Sequence, residues 1–110
     1  MINIDPNITV QEFRPLLKEF WKISGDKILL IEKEYDNKKG SPVFTSNGKY
    51  TTRGWTEWTE GFRYGSSFLQ FDATNDSNFL DIGKKYTLEK MASHLTHTGV
   101  HDHGFNNIST

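Results

Sequence analysis

Between Trp55 and Asp72 the chain carries apolar residues on two adjacent faces of a helix. Trp58, Phe62, Gly65 and Leu69 lie on one face, and Tyr64, Phe68 and Phe71 on the next. A helix that is apolar over more than half its circumference must be packed on two sides. Gly65 and Ser66 are small where another helix could approach closely. The segment from about Asn78 to Ser93 or His94 repeats the pattern, with Phe79, Ile82 and Tyr86 on one face and Leu80, Leu88, Met91 and Leu95 on another. Lys84, Lys85, Glu89 and Lys90 leave it a solvated strip. Antiparallel helix pairs stacked side by side bury such faces, and a closed ring of pairs does so fully. Three helices cannot close a ring, so the pattern predicts an all-α piece of something larger.

The first of the three helices is expected from Thr9 or Arg14 to Tyr35. Thr9-Val10-Gln11-Glu12 is a capping box, in which the Thr hydroxyl accepts the amide of Glu12 and the Glu reaches back. Phe13, Leu17, Phe20, Ser24, Ile28, Ile31 and Tyr35 step by three or four along one face. Pro15 opposes a start at Thr9, because its ring meets the carbonyl of Gln11. A start at Arg14 would make Pro15 the first helical residue. Residues 43–52 hold Asn47-Gly48 between strand-favouring flanks. They either close a short β-hairpin through a type I′ turn or form an ordered loop around one tight turn. Thr74 to Asn78 is a turn cluster that supplies helix caps, and 99–110 reads as loop.

Charge and length narrow the function classes. Thirteen basic and fourteen acidic side chains in 110 residues leave a net charge of −1. No basic excess exists to neutralise a phosphate backbone, which argues against a nucleic-acid partner. The longest apolar run, Ile28 to Ile31, is too short to cross a bilayer, so no membrane partner is expected. The absence of cysteine excludes disulfides, thiolate metal sites and a cysteine nucleophile. Met1 to Pro6 shows no basic start or apolar region of a signal peptide, which leaves cytoplasm and periplasm both open.

Two clusters can carry chemistry. All four histidines, His94, His97, His101 and His103, lie in the last 17 residues. Within Gly99-Val100-His101-Asp102-His103-Gly104, a carboxylate stands between two imidazoles. Asp102 could act as acid, base or electrostatic stabiliser, while His101 and His103 could bind hydroxyls or a substrate carboxylate. The competing structural role is a helix-capping Asp102 beside solvated histidines. The four imidazoles also suit a metal, but their spacing matches no established zinc signature, so no metal or other cofactor is expected. The second cluster places Trp55 and Trp58 among Glu57, Glu60 and Arg63. Indole faces stack on sugar C–H surfaces and charged groups bind hydroxyls or uronate carboxylates. The competing role is a helix start whose aromatics belong to the core.

Together and in this order, the clusters resemble a known family. Trp58-Thr59-Glu60-Gly61-Phe62-Arg63-Tyr64-Gly65 resembles the Trp-Thr-x-Gly-Phe-x-x-Gly motif at an inner helix start of unsaturated glucuronyl hydrolases and the related unsaturated rhamnogalacturonyl hydrolases. Thr74-Asn75-Asp76-Ser77-Asn78-Phe79-Leu80 is similar to their Thr-Gly-Asp-x-x-Phe/Tyr-Leu turn. His101-Asp102-His103-Gly104-Phe105 is similar to their His-Asp-Leu/Ile-Gly-Phe motif. His103 stands where the family has an aliphatic residue, and Arg63 where it has an aromatic.

The resemblance implies that residues 1–110 form the N-terminal segment of one larger (α/α)₆ toroid domain. It also implies hydrolysis of uronic-acid-containing oligosaccharides by hydration of a C4=C5 vinyl ether, without a metal. Asp102 would be one of two active-site aspartates and Trp58 a tryptophan near the sugar. Trp55, Arg63, His101 and His103 would be further substrate contacts. The second aspartate would lie beyond Thr110, so the 110 residues alone are expected to be inactive. A saturated-uronide hydrolase, a small helical interaction module and a histidine metal site are the alternatives.

Overall fold

The computed structural model describes residues 5–110, so part of the stretch read for a signal peptide lies outside the described residues. The fold is mainly helical, with helices α1 (Val10–Glu34), α2 (Thr59–Thr74), α3 (Ser77–Lys90), α4 (Ala92–Thr96) and α5 (His103–Ile108). A two-stranded antiparallel sheet of β1 (Phe44–Ser46) and β2 (Lys49–Thr51) and one 3₁₀ turn (Asn37–Lys39) lie between α1 and α2.

The capping box forms: the Thr9 hydroxyl accepts the Glu12 amide at 3.3 Å, and the Thr9 amide donates to the Glu12 carboxylate at 2.8 Å. It starts α1 at Val10, so the helix runs through Pro15 rather than beginning at it. Gly25 marks where α1 packs tightly against α2 and α3. A Cβ there would meet the Gln70 amide at 2.9 Å and the Phe79 ring at 3.1 Å. The Gln70 amide donates across this contact to the Trp21 carbonyl at 2.8 Å. The apolar face expected to be buried along α1 is largely open. Phe13, Leu17 and Phe20 are exposed, because α1 meets α2 through Trp21, Gly25 and Glu32, further along the helix.

The hairpin closes as the Asn-Gly pair dictates. Asn47 and Gly48 take φ values of 50° and 74°, the two left-handed residues of a type I′ turn, and Phe44, Thr45 and Ser46 pair with Thr51, Tyr50 and Lys49.

Asn75 and Asp76 join α2 to α3. Asn75, at φ 58°, caps α2 by donating its amide to the Phe71 carbonyl at 2.7 Å, and Asp76 caps α3 by accepting the Asn78 amide at 3.0 Å. The small core is built on this pair. Tyr64 and Tyr86 stack at 5.3 Å with Met91 and Ile82 against them, and the Phe68 ring lies over Gly83.

Arg63 faces α1, not a ligand site. Its guanidinium pairs with Glu32 at 2.6 Å, bonds Asn37, and lies against the rings of Tyr35, Tyr64 and Tyr86. Where the sequence suggested a uronate contact, Arg63 is engaged within the fold, and its charge fastens α1 to α2.

The stretch 99–110, expected as loop, contains α5. Gly104 and two asparagines give six residues little intrinsic helicity, and so short a helix does not stand alone in water. It forms because α2 offers it a groove. Gly61 and Gly65, one turn apart, face the backbone of Asn106 and Ser109 so closely that a Cβ at either would overlap it. The small surface expected at Gly65 thus receives the end of this same chain.

Candidate functional site

The docking of α5 on α2 brings together residues that are far apart in sequence. Asn106 is fully buried and reads three groups at once. Its Oδ1 accepts the Gly61 amide at 2.9 Å, and its Nδ2 donates to the Glu57 carbonyl at 3.1 Å and to His94 Nδ1 at 3.2 Å. An amide proton on one side and a carbonyl on the other fix which way the Asn106 amide points.

That orientation sets the protons of three imidazoles in turn. His94 Nδ1 faces a donor and must accept, so His94 carries its proton on Nε2, 3.1 Å from Glu60 Oε2. His103 Nδ1, 2.9 Å from His94 Nδ1, is the donor in this arrangement and shares the single lone pair of His94 Nδ1 with the Asn106 amide. His103 Nε2 is left to accept from His97 Nδ1 at 2.6 Å. Tyr64 donates to the other Glu60 oxygen at 3.3 Å. This tautomer set gives a one-way chain of hydrogen bonds, His97 to His103 to His94 to Glu60.

Glu60, His94 and His103 are buried, whereas His97 is exposed at the outer end. Trp55 lines the chain. Its indole is stacked on His103 at 5.8 Å and edge-on to His94 and His97 at 5.4 and 5.1 Å, with 45% of its surface still exposed.

His103 thus takes a different place from the one expected. With both ring nitrogens engaged, it supports neighbouring rings rather than presenting a nitrogen to a ligand. Among the described residues no three histidine or acidic side chains are grouped to hold an ion, because the imidazoles bond to one another in series.

Burial, reinforced by His94 and His97, lowers the affinity of His103 for a proton below the ordinary histidine value of 6.5; Asp102 acts weakly in the opposite direction. The stabilisation is complete above that value and is lost as pH falls through the lowered one, because the unfolded chain takes up a proton that the fold resists. Acidification from roughly pH 7.5 to 5 is expected to loosen α5 before the α2–α3 pair. Hydrogen exchange of the amides of 103–108 measures this. Protection that stays constant over the range would contradict it.

A second, more open group lies beside the chain. Asp102 precedes α5, half-buried, with its carboxylate 3.3 Å from the Nε2 of the exposed His101. It makes no capping bond to the helix. One turn on, Phe105 meets Trp58 at 6.5 Å and Phe62 at 6.3 Å. Trp58, Phe62 and Phe105 are each about half exposed, so they form an open aromatic patch and not core. Of the residues expected at a site, Trp58, Trp55, His101, Asp102 and His103 gather around the starts of α2 and α5, and Arg63 does not. Sequence reasoning missed Glu60, His94 and Asn106 as partners. Glu60 carried a visible signal, a carboxylate one turn before Tyr64 on a helix apolar over most of its surface.

No protein-family model, no curated protein and no solved structure matches this chain.

Proposed function

We propose that this chain is a helical segment of a carbohydrate-active hydrolase acting on uronic-acid-containing oligosaccharides, within a larger α/α-toroid domain. The observation that carries the reading is the meeting of two motifs more than forty residues apart. An exposed tryptophan at the start of α2 and a carboxylate with a spare oxygen at the start of α5 lie on elements joined through Asn106 and Gly61. Trp58 offers a flat apolar face to a sugar ring. Asp102 supplies one carboxylate of the pair that hydrates an unsaturated uronide or hydrolyses a saturated one. The exposed His101 lies where it can bind a hydroxyl or the uronate. The second carboxylate comes from outside these residues. The open apolar residues of α1, together with Leu69, Leu88 and Leu95, would be covered by neighbouring helices of the toroid.

The same exposed faces support a second reading, a helical module that uses them to bind another protein. No described helix is long and apolar enough to cross a membrane. The two readings part in one assay. The complete protein is expected to consume unsaturated uronides, followed by loss of the ultraviolet absorbance of the C4=C5 bond, or to release saturated uronic acid. Turnover of neither substrate leaves the binding module.

Trp58→Ala sharpens the test. A half-exposed indole is expected to cost the fold well under the about 3–5 kcal/mol of a buried tryptophan, while KM for an oligosaccharide rises. An unchanged KM with a large fall in Tm would discard the sugar contact.

A further inference from the structure

The imidazole chain ends at the surface on a nitrogen that the carbohydrate reading leaves unused. His97 Nδ1 donates inward to His103, and among the described residues His97 Nε2 has no hydrogen-bond partner. We propose that His97 Nε2 is a general base in its own right, oriented and charge-supported by His103, His94 and Glu60, with the exposed Trp55 ring as the wall against which a hydroxyl-bearing ring lies. The class of ligand rests on the carbohydrate reading; the basicity of His97 does not.

The proton is accounted for at each atom. A hydroxyl of the bound ring donates a hydrogen bond to His97 Nε2, and a proton drawn onto that nitrogen gives an imidazolium whose Nδ1–H still points to His103 Nε2. Every bond further in already runs toward Glu60, so none has to reverse. The cation is stabilised by polarisation of two neutral rings that end on a carboxylate, which is the arrangement that orients and supports a catalytic histidine elsewhere. The proton does not travel on to Glu60, because a proton on His94 Nδ1 would face the Asn106 amide donor. It remains on His97 and is available to be returned.

The groups around this chain are consistent with one supporting anion. Glu60 and Tyr64 face it from α2, and His94 from α4. Asp102 lies beside His103 but is paired with His101. Glu60, His94 and His103 are positioning residues, since none reaches a ligand. Their burial is what keeps the chain from being short-circuited by water.

Acylation of the histidines by diethyl pyrocarbonate, resolved by mass spectrometry, tests the support without any substrate. His101 is the internal reference, because it is exposed and outside the chain. In Glu60→Gln the side-chain carbonyl can still accept from His94, and the new NH2 faces the Tyr64 hydroxyl, which turns to accept, so the heavy-atom positions are kept while the charge is lost. The rate at His97 is expected to fall about threefold to tenfold, the size of a modest charge effect, with His101 unchanged. Equal His97 rates in the two proteins would overturn the proposal.

Nitrogen-resolved NMR of the imidazoles is a second test that does not depend on the variant. His97 and His103 are expected to carry their protons on Nδ1 and His94 on Nε2. Any other pattern overturns the chain whatever the acylation rates. If both results hold and no uronide is bound or turned over, the carbohydrate reading falls and His97 stands as a base for another hydroxylated ligand.

Discussion

Gly65→Ala is expected to destabilise the protein, and the sign is the informative part. In an exposed helix the same change stabilises by about 1 kcal/mol, because alanine loses less backbone entropy than glycine. Here the new Cβ would overlap the backbone carbonyl of Ser109, and Gly61→Ala would overlap the backbone of Asn106. Neither clash is with a flexible side chain that can turn away. Overpacking of this kind costs about 1–3 kcal/mol at one position. The two positions are one turn apart under the same short helix, so the double variant is expected to unseat α5 altogether. The loss is local, because α5 can peel away while α2 and α3 keep their own contacts around Tyr64 and Tyr86.

Gly104→Ala is the control. It lies within α5, and a Cβ there meets nothing within 4 Å, so it is expected to be neutral or mildly stabilising. Denaturant unfolding and hydrogen exchange at 103–108 measure all four variants. A Gly65→Ala protein as stable as the parent would mean that α5 does not sit in this groove.

The elements that were legible in the sequence are those whose signals are local. The capping box at Thr9, the type I′ turn at Asn47-Gly48 and the caps around Asn75 and Asp76 involve residues within a few positions of one another, and each forms as its chemistry dictates. What was not legible depends on partners distant in the chain. Helix α5 has weak intrinsic propensity and exists through two glycines some forty residues earlier. The face of α1 from Phe13 to Phe20 has the period of a buried stripe, yet its residues are exposed among the described residues. Periodicity reports that a face is apolar and not what lies against it. Arg63 shows the same limit. Its neighbours in sequence suggest a sugar site, and only the fold turns it to Glu32.

The candidate site divides along similar lines. Trp58, Asp102 and His101 are exposed or half-exposed groups whose residue types speak directly. The chain through Glu60, His94, His103 and His97 is legible only once Asn106 has fixed the direction of its bonds. His103 illustrates the difference, since its position beside Asp102 suggested a ligand contact while its two nitrogens are both spent inside the protein.

Asp102→Asn is expected to leave the fold almost unchanged and to reduce turnover of a uronide by the complete enzyme about 10²- to 10⁴-fold, the range for losing a positioned acid–base group. The first half follows from what Asp102 does not do. It precedes α5 without making a side-chain capping bond, so the amide removes no structural hydrogen bond of that helix. Among the described residues its side chain meets His101, an exposed imidazole at 3.3 Å, and exposed pairs of that kind are worth under about 1 kcal/mol. The second half follows from the chemistry. Asparagine keeps the shape but can neither hold a proton for transfer nor stabilise a developing positive charge. Steady-state kcat on unsaturated and saturated uronides, compared with Tm for the same preparations, separates the two halves. A variant that keeps more than about half of the parent's kcat would remove Asp102 from the catalytic set. A variant that loses activity and Tm together would instead assign it to holding the start of α5.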